Sequence, residues 1–360
     1  MLRKLTPWLI VVVLLLTGFV TVREISNAEL MKEIKKNDYL LKHRLDALDK
    51  RVDDVLWFHR VGDVAHIDKV FLTGDPPREH ETATRLVDRN PVKIWAYVFI
   101  PKEIDPSKKY PLIVLPHGGV HGDFNTYYTH IVREMMAQQY IVVAPEYRGS
   151  TGYGRLTYER IDYGGLENAD VNHCRAFMIE NYSIVDPKRV GIVGWSHGGM
   201  IALMNIFEYP EHYACAFAGV PVSDLVARMG YMRHDYENFF SADYHIGQPV
   251  HENIDEYRRR SPVFHAHRLK TPLLIHANTN DEDVHVLEVE NLINALKAHN
   301  KRFEYKVYQD IPGGHSFDRM DHATGREIRF NIYKFLEKHL NPPVKFRNLG
   351  DMERAAYRFN

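Results

Sequence analysis

Cysteine is nearly absent: the only thiols in 360 residues are Cys174 and Cys215, and they stand at no metal-ligand spacing. That excludes a framework of several disulfides and a cysteine-built zinc site. The two are read as small buried residues, with a single bridge between them as the one alternative. An excess of either charge is missing as well, with 46 Lys and Arg against 47 Asp and Glu. No partner of opposite charge is therefore implied, and nucleic acid is not expected. The chain has no internal repeat and no low-complexity tract, and 45% of it is hydrophobic, which is enough for one sizeable core. Converging histidine and carboxylate ligands are also lacking. The stretches His117/His121 and His265/His267 lack converging carboxylates and read as surface or structural histidines, so neither a metal nor an organic cofactor is expected.

One apolar stretch is long. Leu5 to Val22 carries no charge and lies between Arg3/Lys4 and Arg23, long enough to cross the apolar part of a bilayer as a helix. Residues 1–22 are expected to be a transmembrane anchor. Two basic residues before it place the rest of the chain on the extracytoplasmic side, periplasmic in a Gram-negative bacterium. The alternative is a signal segment followed by secretion, although TGFVTVRE has no A-x-A-like site. Residues 23–60 are rich in charge, with Met31, Ile34, Leu41, Leu45, Leu48, Val52 and Val55 on a three-four spacing broken only by Asp38. This predicts an amphipathic helical stalk. It either pairs protomers through 31–55 as a short parallel coiled coil or lies against the catalytic domain.

Residues 61–90 read as a linker or edge region. From Val92 apolar runs alternate with helical stretches, the pattern of a mostly parallel sheet with crossover helices on both faces. Strands are expected at 94–100, 112–115, 141–144, 190–194, 214–218, 273–276 and 303–308, and helices from near Thr126, Gly165, His197, Val284 and Thr324. One domain over 91–342 and a tail over 343–360 follow. Between Pro221 and Pro262 the alternation stops, and Tyr231, Tyr236, Phe239, Phe240, Tyr244 and Tyr257 read as an excursion over the site edge that shapes the acyl pocket or packs as a lid core.

The chemistry is carried by Gly194-Trp195-Ser196-His197-Gly198, a G-x-S-x-G between an apolar strand and a helix. In a nucleophile elbow the serine is held in a strained turn, and glycines flank it because side chains there would clash. Such a serine needs a base oriented by a carboxylate, in the order Ser, acid, His, and this order defines an α/β-hydrolase fold. Asp281 follows the strand ending at His276, with Glu282 and Asp283 as competitors. His315 lies in the glycine-rich DIPGGHSF before the last helix. The catalytic set is thus Ser196, Asp281 and His315. Oxyanion donors are expected from the backbone N–H of His197 and of Gly118 or Gly119 in the HGG that follows the 112–115 strand.

With these residues assembled, the sequence resembles the catalytic domain of the prolyl oligopeptidase family of serine peptidases over about 91–340. GWSHGG, the HGG at His117, the run Pro145–Arg155 (PEYRGSTGYGR), the spacing from Asp281 to Val284 and the GGH at His315 carry the resemblance. It implies cleavage of small peptide or aminoacyl bonds through an acyl-enzyme, with Tyr147 and Arg148 as structural residues near the site. Relatives carry a β-propeller ahead of this domain, whereas only a short span lies between the apolar run and Val92, which implies a site without that size filter. His117 stands where some relatives have an oxyanion-hole tyrosine, and Asp283 where many have Arg or Asn. An ester substrate is the runner-up. A non-catalytic, membrane-anchored assembly protein is the third possibility.

Overall fold

The computed structural model describes residues 26–77, 91–232, 236, 239–242 and 245–357. The apolar run Leu5–Val22 and Tyr244 lie outside them, as do parts of the 61–90 span and the end of the tail. Among the described residues no helix is long and apolar enough to cross a membrane. The chain divides into two units, Met1–Leu41 and Lys42–Asn360. In the first, the described residues are helical from Asn27 and almost all exposed; α1 is assigned over Asn27–Val61.

The second unit is built on an eight-stranded sheet. Its strands are β1 (Ala65–Thr73), β2 (Lys93–Pro101), β3 (Tyr110–Val114), β4 (Ile141–Glu146), β5 (Val185–Trp195), β6 (Cys215–Gly219), β7 (Leu273–Asn278) and β8 (Glu304–Tyr308), in the order β1-β2-β4-β3-β5-β6-β7-β8. The pairs β1/β2 and β2/β4 are antiparallel and all others parallel. β3, β4, β6 and β7 are buried throughout, as expected for parallel strands covered on both sides.

Alternation along each strand feeds two cores. Leu112 and Val114 join the core under α3 (Leu166–Asn181) and α4 (His197–Glu208). Ile113 and Leu115 join the one under α2 (Thr129–Ala137) and α5 (Ala323–Leu340). Both cysteines are free and buried, and burial pushes their thiols up. This answers the bridge alternative in the negative.

Two spans carry more structure than a linker and a tail, and the first lies at the sheet edge. The 61–90 stretch contains the full strand β1, whose burial alternates because it is the sheet's edge and only one side meets the core. The tail holds a helix, α6 (Leu349–Ala356), capped by the Asn348 side chain and anchored by buried Met352.

Within the second unit, the Lys42–Val61 part of α1 lies on the domain, but by its polar face. Trp57 is fully buried, stacked on Phe124 with ring centroids 5.3 Å apart and edge-on to Phe99 at 5.0 Å. Lys50, 4% exposed, reaches Glu146 at 2.6 Å and Asp123 at 2.9 Å and donates to the Phe124 carbonyl. Asp53 accepts from the N–H and hydroxyl of Thr126. The apolar residues Leu45, Leu48, Val52 and Val55 face solvent.

Candidate active site

Because β3 and β5 to β8 run parallel, the loops leaving their carboxyl ends share one edge of the sheet, where open α/β sheets place their sites. Ser196 follows β5 with φ 58° and ψ −124°, a left-handed conformation that is costly for any residue except glycine. Its N–H donates to the Gly219 carbonyl at 2.9 Å, and its carbonyl accepts from Met200 to open α4. The flanking glycines are steric necessities. A Cβ on Gly194 would sit 2.1 Å from the Gly198 oxygen, and one on Gly198 would sit 2.3 Å from the Pro116 oxygen. Neither backbone contact can yield.

Asp281 follows β7 and is nearly buried. Its Oδ1 accepts from the N–H groups of Asp283 and Val284 at 2.9 and 2.8 Å. Both carboxylate oxygens lie 2.9 Å from His315 Nδ1, so the imidazole donates through that nitrogen and keeps Nε2 free to accept. The competing acids do other things. Glu282 accepts from the His315 backbone N–H at 3.2 Å. Asp283, half exposed, accepts from buried Arg228 at 3.4 Å and lies 3.7 Å from His315 Nε2. Asn278, at the end of β7, brackets the His315 loop by donating to the Ile311 and Gly314 carbonyls and accepting from Ile311.

Ser196 and His315 line one open cavity of about 410 Å³ together with Gly118, Gly119, Tyr128 and Asp283. Among the described residues no hydrogen bond joins Ser196 Oγ to His315; such bonds are often long in free enzymes and tighten with substrate. Aromatics of the excursion contribute nothing to this lining among the described residues. Phe240 and Tyr257 are fully buried, with Phe240 packed against Tyr163, Tyr236 and His245, so these two aromatics of the excursion pack as a core.

The HGG loop is held against the elbow. A Cβ on Gly118 would lie 3.4 Å from Ser196 Cβ, which places this peptide beside the serine. Gly119 has φ 83°. His197 opens α4, where the first amides have no intrahelical acceptor and are free for an anion. Its buried ring bridges Gly119 O at 3.1 Å and Glu167 Oε1 at 3.2 Å.

On the other side His117 contacts Ser150 Oγ at 2.9 Å and Glu146 at 3.4 Å. Tyr147 donates its hydroxyl to the His117 carbonyl at 2.8 Å. Burial pushes the Glu146 carboxyl up, but Lys50 and His117 outweigh it and hold it below its usual range. Arg148 is more remote, fully buried on Asp170 and the Asp75 carbonyl.

Several residues here went unanticipated. Tyr128 lines the cavity with its phenol against Arg319 and the Gly118 backbone; burial raises its pKa and those two neighbours oppose the rise. Arg319 donates to the His315 carbonyl. Lys50, Glu146 and Glu167 hold the loop from behind. Only a tertiary contact marks any of them, apart from Tyr128, which sits at an expected helix start. Among the described residues no cluster of His, Cys, Asp and Glu forms a metal site.

The chain is 29% identical over 267 residues to uncharacterized peptidase YuxL of Bacillus subtilis (strain 168), covering 73% of this chain and 39% of that protein. It is 28% identical over 257 residues to the acylamino-acid-releasing enzyme of Arabidopsis thaliana, covering 70% and 33%. It thus spans well under half the length of these relatives. Among solved structures, the puromycin-hydrolyzing peptidase of Mycobacterium tuberculosis superposes with a TM-score of 0.62 at 23% identity, covering 78% of this chain and 40% of that one. The acylaminoacyl peptidase of Pyrococcus horikoshii gives 0.63 at 19%, covering 84% and 46%. These identities speak for the α/β-hydrolase fold alone. The decisive match is the model of the prolyl oligopeptidase family, which aligns with residues 126–343 and so takes in the elbow and the loops of Asp281 and His315; this chain is a member of that family.

Proposed function

We propose that this chain is a serine hydrolase that cleaves small peptide or aminoacyl bonds through an acyl-enzyme on Ser196. The observation that carries the proposal is the conjunction of a strained serine at φ 58° with a histidine held through Nδ1 by a buried carboxylate, both lining one cavity. In the proposed reaction Ser196 Oγ attacks the acyl carbonyl carbon while its proton passes to His315 Nε2. Asp281 fixes the ring and stabilises the imidazolium. The oxyanion accepts from His197 N–H and from Gly118 or Gly119 N–H. His315 then gives the proton to the departing amine. A water, deprotonated by the same nitrogen, attacks the ester and releases the acid and Ser196. The names of the relatives, acylamino-acid-releasing enzyme and puromycin-hydrolyzing peptidase, favour an aminoacyl substrate.

Ester cleavage is the second reading, and Asp283 favours it. This carboxylate in the cavity is an acceptor and offers no donor to a peptide carbonyl. Labelling of the full-length protein by a fluorophosphonate, compared among wild type, Ser196→Ala and His315→Ala, tests the shared chemistry. Labelling confined to wild type is expected; a folded wild type that does not label would overturn the proposal. Turnover of aminoacyl amides against short-chain esters then separates the two substrates.

The same proposal includes location. Residues 5–22, flanked by Arg3/Lys4 and Arg23, support an uncleaved anchor that holds the domain outside the cytoplasm. Fractionation followed by alkaline carbonate washing is expected to leave the protein in the membrane pellet. Release into the wash would refute the anchor.

A further inference from the structure

The helix α1 is amphipathic, yet the domain holds it by the polar side. On a heptad frame, Met31, Asp38, Leu45 and Val52 occupy position a and Ile34, Leu41, Leu48 and Val55 position d. Of the four buried residues, His43, Lys50 and Trp57 fall on position f, diametrically opposite the a/d seam, and Val61 beside them on c, while the half-buried Asp46, Asp53 and Asp54 flank them on b and c. A surface helix ordinarily turns f to solvent and its apolar stripe inward. Here the order is inverted.

The seam is left bare. In the second unit Leu45, Leu48, Val52 and Val55 are 52%, 57%, 53% and 69% exposed. In the first, Met31, Ile34 and Leu41 are exposed to a similar degree. An apolar stripe of this kind on a charged helix is a surface made to be covered.

Charge selects the occupant. The positions beside the seam are exposed, with Arg44 and Arg51 on g and Lys42 and Asp49 on e. In a parallel, in-register pair, g faces e of the next heptad of the partner helix. Arg44 of each copy then meets Asp49 of the other, twice by symmetry. An antiparallel pair with the same seam layers sets Arg44 against Arg44 and Lys42 against Lys42 at its centre, and these two repulsions offset its two Lys35–Asp49 contacts. A parallel pair also brings both Leu5–Val22 runs to one end. Because the domain is attached at f, two helices can meet at a/d with each domain on the outside.

We propose that a second copy of this chain docks along α1 in parallel and in register, forming a two-stranded coiled coil over residues 31–55. Asp38, the one polar seam residue, faces its counterpart and weakens the pair while defining its register. The full-length protein in neutral detergent should weigh as a dimer by light scattering corrected for detergent. A monomer or a trimer overturns the proposal.

Leu48→Cys should form a chain-to-chain disulfide on mild oxidation and Lys36→Cys, on position f, should not; Cys174 and Cys215 are buried and give no background. Crosslinking only between mixed Leu41→Cys and Leu45→Cys chains would mean an antiparallel pair and refute the arrangement. Leu41→Glu with Leu48→Glu should give a monomer whose circular dichroism and melting show a folded domain. Persistent dimers in that variant count against the seam. Asp38→Leu should tighten association by about tenfold, the equivalent of removing one unpaired buried polar group. If wild type is monomeric and the seam instead drives binding to anionic vesicles, the face belongs to lipid and the proposal fails.

Discussion

The elbow around Ser196 and the loop from His117 to Gly122 lie on either side of the same cavity, but they are built differently. The elbow is held by its own backbone: Gly194 and Gly198 are in near contact with neighbouring peptides, and Ser196 is caught between a strand and a helix that both start or end on it. The HGG loop has no such local logic. Its shape depends on Tyr147, on a His197–Glu167 pair from one side and on a Lys50–Glu146–His117 chain from the other. A strained nucleophile needs short-range sterics, whereas peptides aimed at an oxyanion need supports distant in sequence.

The largest expected effects fall on the chemical groups. Ser196→Ala should lower kcat by about 10⁶-fold and Asp281→Asn by about 10⁴-fold, with unfolding transitions unchanged. Steady-state kinetics beside thermal melts check both. A substantial loss of stability in either would mean that the site is more than a backbone-held device.

Next in size is a break in the loop's support. Lys50→Met leaves Glu146 buried with its ammonium partner gone and should destabilise the fold by about 3–5 kcal/mol at neutral pH. The pH dependence sharpens the test. In wild type the Glu146 pKa is lowered by Lys50 and His117 against burial, so its contribution is present above the ordinary carboxyl value of 4.5 and lost as acid approaches the lower folded value. In the variant burial raises that pKa, so the deficit relative to wild type should shrink as pH falls toward 5. Melting temperatures of both proteins across that range decide it; a deficit independent of pH would show that Lys50 acts by packing alone.

A subtler change on the other side is Glu167→Gln. It weakens the hold of His197 on the Gly119 carbonyl and should cost about tenfold in kcat with little change in KM, as for one charge-assisted hydrogen bond. An equal loss in KM would move the effect from the transition state to substrate binding. The smallest effect belongs to Asp283→Asn. This group is half exposed and screened, so the ratio of kcat/KM for a cationic over a neutral substrate should fall by roughly two- to fivefold. An unchanged ratio would remove Asp283 from recognition.

What could be read beforehand follows the same division. Strands β3, β4, β6 and β7 are apolar runs bounded by turn residues, and in strands buried on both faces that pattern is nearly continuous, so they stood out. β1 did not, because at an edge its alternating AHIDKVFLT resembles a polar linker. The excursion's aromatics left pocket and packed core open, and Phe240 and Tyr257 pack as core, because where the chain folds back decides which of the two roles hydrophobic residues of equal chemistry take. Tyr128 is a similar case, since nothing in TYYTH distinguishes the tyrosine that packs against Gly118 from its exposed neighbour Tyr127.

The heptad of α1 was plain from its spacing, but which face would meet the domain was not. Periodicity states only that a helix has two sides, and Lys50 found a buried carboxylate across the fold. Sequence alone determined whatever local sterics and periodicity control: the elbow glycines, the order of Ser196, Asp281 and His315, the parallel sheet and the amphipathic helix. Tertiary structure alone decided what holds the HGG loop and which face of α1 stays open, because each is a contact between residues far apart in the chain whose identity no neighbouring residue encodes.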